Sequence, residues 1–251
     1  MRILVTFVTL IFLAASPILA FDINEMSEGE RQIFRQEVRA YLLENPEVLM
    51  EAIAVLEQRQ EENQATNDQD LVASYADPLF DDGYSYVGGN PDGDVVIVEF
   101  LDYRCGYCKR AHPEVAELIR SDGNIIYIVK EFPILGEQSD LASRFAISVL
   151  HNTDLATYAK AHDALMGFRG EISIPSLERL SGNLGLDTAA IIQGMDSPEV
   201  RSVIGKNRAL GQSMAITGTP SFVFGDQMVR GYVPLDGMRE IVAQLRADAS
   251  N

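Results

Sequence analysis

The chain has 251 residues, of which 47% are hydrophobic and 23% are charged, and its formal net charge at pH 7 is −17. This composition is typical of an ordinary soluble globular protein of one or two domains. No segment of the chain is dense enough in Lys and Arg to follow a row of phosphates, so a nucleic-acid partner is not expected.

The N-terminus has the pattern of a secretory signal peptide. Met1-Arg2 is followed by an apolar run from Ile3 to Ala15 and by the small residue Ala20, after which the sequence becomes acidic. We therefore predict a signal peptide over residues 1–20 and a periplasmic location. The alternative is an uncleaved membrane anchor, since the apolar run is near the lower length limit for crossing a bilayer.

Two amphipathic helices are predicted next. Ser27 and Glu30 match a capping box that starts a helix ending near Glu44, and Asn45-Pro46 then starts a second helix. The second helix carries an apolar stripe formed by Leu49, Ile53 and Leu56. Residues 57–70 are almost wholly polar and predict an exposed connector. Residues 21–77 are thus predicted to be an N-terminal helical segment with a linker, outside the main domain.

The remainder of the chain predicts an α/β protein interrupted by helices. A near-continuous apolar strand at residues 95–101 leads into a helix that ends near residue 122, and a second buried strand follows at residues 125–129. Residues 134–216 predict helices only. Strands at residues 221–224 and 228–232 then form a hairpin, and an amphipathic helix closes the chain.

Cys105 and Cys108 are the only cysteines of the chain, and they lie where the first buried strand meets its helix. The N-terminus of a helix favours the thiolate of Cys105, and Cys108 is placed one turn later to attack a mixed disulfide formed there. A structural disulfide and a metal site completed by His112 are the alternatives. His151 and His162 are expected to face solvent or to satisfy local hydrogen bonds. No cofactor is predicted.

With this motif the sequence resembles the thioredoxin superfamily and, more narrowly, the DsbA-like exported disulfide oxidoreductases. Gly218-Thr219-Pro220 resembles the family's cis-proline loop, and Glu99 with Lys130 resembles its buried carboxylate and the usual partner of that carboxylate. The run from Lys130 to Gly136 is similar to the family's lead into a helical insertion. The resemblance implies a thioredoxin fold over residues 78–251 with an insertion at about 134–216, and a redox-active disulfide between Cys105 and Cys108.

The resemblance also implies roles for these residues. The backbone of Thr219 beside a cis Pro220 would pair with an extended substrate, and Glu99 would accept the proton that Cys108 loses, with Lys130 balancing its charge. The alternatives are a trans bond in an ordinary turn at Thr219-Pro220 and a solvent-facing Glu99.

Gly106-Tyr107 between the cysteines resembles the DsbC-type disulfide isomerases, and we expect both residues to contribute to substrate binding. The run from Tyr41 to Leu49 resembles the N-terminal region of ScsC-like proteins, some of which are oligomeric isomerases linked to copper tolerance. These likenesses imply an exported disulfide isomerase or reductase that acts on unfolded or misoxidised exported proteins and exchanges electrons with a membrane thiol-redox partner.

Oligomerisation through the N-terminal helices is expected. The alternative is that these helices fold back onto their own catalytic domain. A protein that binds Cu(I) or Zn(II) at the two cysteines is the alternative function.

Overall fold

The structure is a computed structural model that describes residues 26–250, so the predicted signal peptide lies outside the described residues. The chain divides into two compact units, Met1–Arg59 and Gln60–Asn251. The helices are α1 (Glu28–Glu44), α2 (Glu47–Ser74), α3 (Ala76–Phe80), α4 (Gly106–Asp122), α5 (Glu137–Asn152), α6 (Leu155–Met166), α7 (Ile174–Asn183), α8 (Thr188–Gly194), α9 (Pro198–Ser213) and α10 (Leu235–Ala249). The strands are β1 (Tyr86–Gly89), β2 (Val95–Leu101), β3 (Ile125–Glu131), β4 (Ser221–Phe224) and β5 (Gln227–Arg230). No helix within residues 26–250 combines the length and the hydropathy that crossing a bilayer requires.

Helix α1 begins at the predicted capping box. The Ser27 side chain accepts a hydrogen bond from the Glu30 amide, and the Glu30 carboxylate accepts one from the Ser27 amide at 2.8 Å. None of the residues of α1 is buried. Its apolar side chains and those of the first half of α2 are exposed, which leaves a large apolar area on the N-terminal unit.

The connector predicted over residues 57–70 is wrong, because α2 continues without a break to Ser74. Gln, Glu, Arg and Ala in this stretch favour helix, and tertiary contacts fix its end. Val72 is buried in a core cluster, and the buried carboxylate of Asp68 accepts hydrogen bonds from both terminal nitrogens of Arg230 in β5. The last turns of α2 are therefore part of the unit that begins at Gln60.

A five-stranded sheet in the order β1-β3-β2-β4-β5 lies at the centre of this unit. Strands β2 and β3 are parallel and are joined by α4, as the predicted β-α-β arrangement requires, whereas the other pairings are antiparallel. The register between β2 and β3 places Glu99 opposite Val129 and Phe100 opposite Lys130. Because neighbours in register point to the same face of a sheet, Glu99 and Lys130 point to opposite faces.

The two faces of the sheet contribute to separate cores. On one face, Ile97 and Leu101 of β2 pack with α4, α10 and the helical insertion, and this core includes both cysteines. On the other face, Val98 and Phe100 pack with the end of α2, with α3 and with α9. The predicted insertion is confirmed as helices α5 to α9 between β3 and β4. The predicted α/β fold with a helical insertion and preceding helices is confirmed.

Candidate active site

Cys105 is the N-cap residue of α4, and Cys108 lies in its first turn. Both are free thiols; Cys105 is 7% exposed and Cys108 is 0% exposed. The turn that presents Cys105 is held by Asp102, whose carboxylate accepts hydrogen bonds from the amides of Arg104 at 2.7 Å, Ile134 at 2.9 Å and Leu135 at 3.0 Å. Asp102 thus fixes the cysteine loop against the lead into the insertion, a role that the sequence did not suggest.

The two thiols have opposite acidities. The hydrogen bond from the Cys108 thiol, together with the amides of Cys108 and Tyr107 at the start of α4, lowers the pKa of Cys105 to about 5 in spite of partial burial. The same hydrogen bond and burial raise the pKa of Cys108 far above its usual value, and the charge of Glu99 adds to this shift. The site therefore holds one slightly exposed thiolate and one fully buried, protonated thiol behind it at neutral pH.

The Thr219-Pro220 bond is cis, as predicted. The Cys105 sulfur lies 3.1 Å from the Thr219 carbonyl oxygen, to which its protonated form donates a hydrogen bond, so the loop lies directly against the reactive sulfur. Next to it, Tyr107 is 61% exposed and stacks on Tyr232 with ring centroids 6.3 Å apart. Leu135 is also exposed. Cys105 is thus surrounded by apolar and aromatic side chains that an extended polypeptide could contact.

Glu99 is buried, so the solvent-facing alternative is wrong. One carboxylate oxygen accepts a hydrogen bond of 2.5 Å from the Tyr127 hydroxyl, and the other has no partner among the described residues. Burial raises the pKa of Glu99 to about 7, with smaller contributions from the charges of Cys105 and Glu131. A carboxyl group with this pKa can both take up and release a proton near neutral pH.

Lys130 does not pair with Glu99, which corrects the sequence prediction. Its ammonium group donates hydrogen bonds to the Asp82 carboxylate at 2.5 Å and to the Pro78 carbonyl at 2.8 Å, on the opposite face of the sheet. The predicted Glu99–Lys130 pairing is displaced by one position along the strand, because the β2–β3 register places Val129, and not Lys130, beside Glu99.

The buried Lys130–Asp82 pair leads to a prediction about the free energy of unfolding. Both side chains are almost fully buried, so Lys130→Met should leave an uncompensated carboxylate and lower the free energy of unfolding by about 3–5 kcal/mol in chemical denaturation. The double variant Lys130→Met, Asp82→Asn should recover part of that loss. Neither variant should alter the pH dependence of the cysteine reactions; a change there would indicate that Lys130 acts on Glu99 after all.

A second buried carboxyl group lies at the end of β3. Glu131 accepts hydrogen bonds of 2.7 Å from the hydroxyls of Tyr103, Tyr158 and Ser143. Burial raises its pKa to about 7. In the sequence Glu131 is only one residue of the run that leads into the insertion. Its partners come from the loop before α4, from α5 and from α6, so only the tertiary fold reveals this cluster.

The histidines occupy different surroundings. His151 is exposed, whereas His162 is buried and shares a hydrogen bond of 2.9 Å with the Tyr103 hydroxyl, so His162 follows the hydrogen-bonding alternative and not the solvent-facing one. His112 pairs with Asp163 at 2.9 Å. Within residues 26–250, no group of three or more His, Cys, Asp and Glu side chains is arranged to hold a metal ion.

Comparison with known proteins identifies the family. Residues 96–243, more than half of the chain, match the DSBA-like thioredoxin domain. The chain belongs to this family. Residues 30–63 match a second family, the N-terminal domain of the copper resistance protein ScsC. The DSBA-like domain thus contains the cysteines and the cis-proline loop, and the ScsC-type segment covers most of α1 and the first half of α2.

Solved structures agree with this assignment. A thioredoxin-like oxidoreductase from Silicibacter pomeroyi DSS-3 is 40% identical, with a TM-score of 0.64, and the match covers 68% of this chain and 97% of that one. The thiol-disulfide exchange protein alpha-DsbA2 from Wolbachia pipientis is 30% identical, with a TM-score of 0.67 over 71% and 95% of the two chains. ScsC from Proteus mirabilis in a transitional conformation is 28% identical, with a TM-score of 0.66 over 90% and 99%. These matches place the chain among the thioredoxin-like oxidoreductases.

Several curated relatives are more distant and much longer than this chain. The Na(+)/H(+) antiporter NhaA 3 of Salinispora tropica is 23% identical over 164 residues, which are 65% of this chain and 25% of that protein. The chain thus spans about a quarter of the length of this relative.

Proposed function

We propose that this protein is an exported, periplasmic thiol–disulfide isomerase and reductase that acts on misoxidised secreted proteins through Cys105 and Cys108. The observation that carries the proposal is the pairing of a low-pKa thiol at Cys105 with a buried, high-pKa thiol at Cys108. The Cys105 thiolate attacks a substrate disulfide and forms a mixed disulfide, and one substrate sulfur leaves as a thiol. Cys108 then loses its proton and attacks Cys105, which releases the reduced substrate and forms the Cys105–Cys108 disulfide.

Isomerisation requires that the same mixed disulfide is resolved in a different way. If a second substrate thiol attacks the mixed disulfide before Cys108 does, the substrate leaves with a new disulfide and the enzyme remains reduced. Burial and the charge of Glu99, which still act on Cys108 in the mixed disulfide, favour this outcome, because they keep its thiol protonated and a protonated thiol is a poor nucleophile. A membrane thiol-redox partner would return any oxidised enzyme to the dithiol form.

The surroundings of Cys105 supply a binding site for extended, unfolded chain. The backbone of Thr219 lies against the reactive sulfur, Gly106 lacks a side chain that would obstruct approach, and exposed Tyr107 offers an apolar contact. These features suit recognition of polypeptide backbone rather than of one particular sequence.

Homo-oligomerisation through α1 and α2 is part of the proposal. The described N-terminal helices expose large apolar side chains, namely Ile33, Phe34, Val38, Tyr41, Leu43, Leu49, Met50, Ile53, Val55 and Leu56. Burial of six such side chains between subunits would contribute on the order of 10 kcal/mol before the entropy of ordering is subtracted. Several catalytic domains in one assembly would keep a substrate within reach for repeated exchange.

Charge substitutions in the full-length chain test this assembly. Leu49→Lys with Ile53→Lys should convert the oligomer to a monomer in light scattering, since buried charges at a subunit interface are unfavourable. The variant should refold a scrambled disulfide substrate about tenfold more slowly or worse, while its simple disulfide-reductase activity should remain. Glu51→Lys, on the opposite side of α2, is the matched control and should behave as the wild type.

Two results would contradict the oligomeric isomerase. One is a wild-type protein that is already monomeric, as expected if α1 and α2 fold back onto their own catalytic domain. The other is a monomeric variant that reshuffles disulfides as fast as the wild type. A truncated chain for the same comparison should begin at Gln60, because a later start removes the Asp68–Arg230 pair.

A further inference from the structure

A cavity of about 230 Å³ lies beside α4. Two buried carboxyl groups are connected to its lining through different sets of hydrogen bonds. Its lining includes Tyr86, His112, Tyr127, His162 and Asp163. The Tyr127 hydroxyl donates a hydrogen bond to Glu99. His162 shares a hydrogen bond with the Tyr103 hydroxyl, which in turn donates one to Glu131. The lining is mostly apolar but carries these polar groups, and the cavity has room for water molecules.

The Glu131 route has the hydrogen-bond pattern of a proton relay. Tyr103 has one hydroxyl proton and two neighbours, the Glu131 carboxylate at 2.7 Å and Nδ1 of His162 at 2.9 Å. The opposite nitrogen of His162, Nε2, is buried and has no partner among the described residues. His162 lines the cavity, so a water molecule there is the partner expected for this nitrogen and the group with which it would exchange protons.

The hydrogen-bonded series of Glu131, Tyr103 and His162 can hold its protons in two arrangements. With Glu131 ionised, Tyr103 donates to Glu131, Nδ1–H of His162 donates to the Tyr103 oxygen, and Nε2 carries no proton. When Nε2 takes up a proton from the cavity, Nδ1 passes its proton to Tyr103 and Tyr103 passes its own to Glu131. His162 is neutral at both ends of the transfer, which agrees with its burial, since burial lowers its pKa to about 3.

We propose that Glu131 is a positioning residue that exchanges its proton with the cavity through Tyr103 and His162, and that its charge controls the proton held on Glu99. The inference rests on the proposed role of Glu99 as proton acceptor for Cys108. Glu131 lies opposite Leu101 in the sheet and points to the same face as Glu99, so ionised Glu131 makes Glu99 harder to ionise, whereas protonated Glu131 releases this constraint. The titration state of one carboxyl group would therefore set the pH at which the other deprotonates Cys108.

Other groups around the relay contribute fixed or competing charges. Asp102 adds negative charge that raises the pKa of Glu131, and His112, when protonated, opposes any positive charge on His162. The remaining polar neighbours are Ser143 from α5, Tyr158 and Asp163 from α6, and Asn207 from α9, which donates to the Glu131 backbone carbonyl.

The wild-type protein provides the first test, which does not depend on catalysis. Nitrogen-15 NMR of the His162 ring should show the neutral imidazole change from the Nδ1–H to the Nε2–H tautomer over the same pH range in which infrared spectroscopy detects protonation of Glu131. Glu131→Gln identifies the infrared band. A tautomer that stays constant through this titration would overturn the relay and leave the proposed enzymatic function untouched.

Two isosteric variants provide the second test. Tyr103→Phe and Tyr158→Phe each remove one hydroxyl donor to the same oxygen of Glu131, but only Tyr103 also bonds to Nδ1 of His162. After a rapid pH jump, Tyr103→Phe should slow protonation of Glu131 by about tenfold or more, and Tyr158→Phe should leave the rate within about twofold. Equal behaviour of the two variants would contradict the relay.

The effect on Glu99 is measured in the reaction itself. In Glu131→Gln, the pH midpoint for attack of Cys108 on a preformed mixed disulfide should fall by about one pH unit, because a negative charge near Glu99 has been removed. An unchanged midpoint would contradict the control of Glu99 by Glu131. The proposed role of Glu99 has a separate test in Glu99→Gln.

Discussion

Cys105→Ser should lower disulfide reductase activity by roughly 10³-fold or more, because Cys105 is the thiol that is ionised at neutral pH and that retains some exposure. Cys108→Ser should have a different phenotype. It retains the nucleophile but lacks the resolving thiol, so it should accumulate mixed disulfides with substrate. Mass spectrometry of these adducts should find the substrate attached at Cys105.

The pH dependence of thiol reactivity is part of the same prediction. Alkylation of the reduced protein should modify Cys105 first, at a rate that is nearly constant above pH 6 and falls as the pH drops through about 5. Cys108 should remain unmodified under these conditions, since its thiol is buried and protonated. Preferential labelling of Cys108 would reverse the assignment of the two sulfurs.

Glu99→Gln should slow the attack of Cys108 on the mixed disulfide by about 10²-fold, with little effect on the first attack by Cys105. In the proposed mechanism the free carboxylate oxygen of Glu99 accepts the Cys108 proton, and its pKa of about 7 would allow it to do so near neutral pH. In the wild type, the rate of this step should rise as the pH increases through about 7. The variant should lose that rise, as single-turnover kinetics can show.

Stability measurements on the same variant provide a control. The pKa of Glu99 is raised in the folded state, so its neutral form is favoured there, and stability should decline as the pH increases from the unfolded-state value of 4.5 to about 7. Glu99→Gln removes this contribution and should show a smaller decline in denaturant titrations. If both proteins have the same pH dependence of stability and of Cys108 attack, Glu99 is not the proton acceptor.

The sequence contained enough information for the fold and for the reactive cysteine. Near-continuous apolar runs identified β2 and β3, because strands buried on both faces need apolar residues at every position, and helical patterns identified the insertion. The position of Cys105 between a strand and a helix indicated a helix N-terminus, and hence a stabilised thiolate. The cis-proline loop was predicted from resemblance and is found against Cys105.

Features that depend on register or tertiary contact were missed. The predicted Glu99–Lys130 pair failed because a shift of one residue in a strand moves a side chain to the other face of the sheet. The polar residues after Arg59 indicated a connector, but the pairing of Asp68 with Arg230, 162 positions away, stabilises helix there. The Glu131 cluster likewise requires α6 to lie against β3, which no local pattern encodes.

The redox equilibrium of the wild-type dithiol with glutathione is the most direct test of disulfide exchange at Cys105 and Cys108. The two thiols should form and lose one disulfide reversibly as a two-electron couple, with a potential between roughly −270 and −120 mV, the range of catalytic thiol–disulfide proteins. A pair that stays oxidised at potentials below about −300 mV, as structural disulfides do, would contradict an enzymatic role for Cys105 and Cys108.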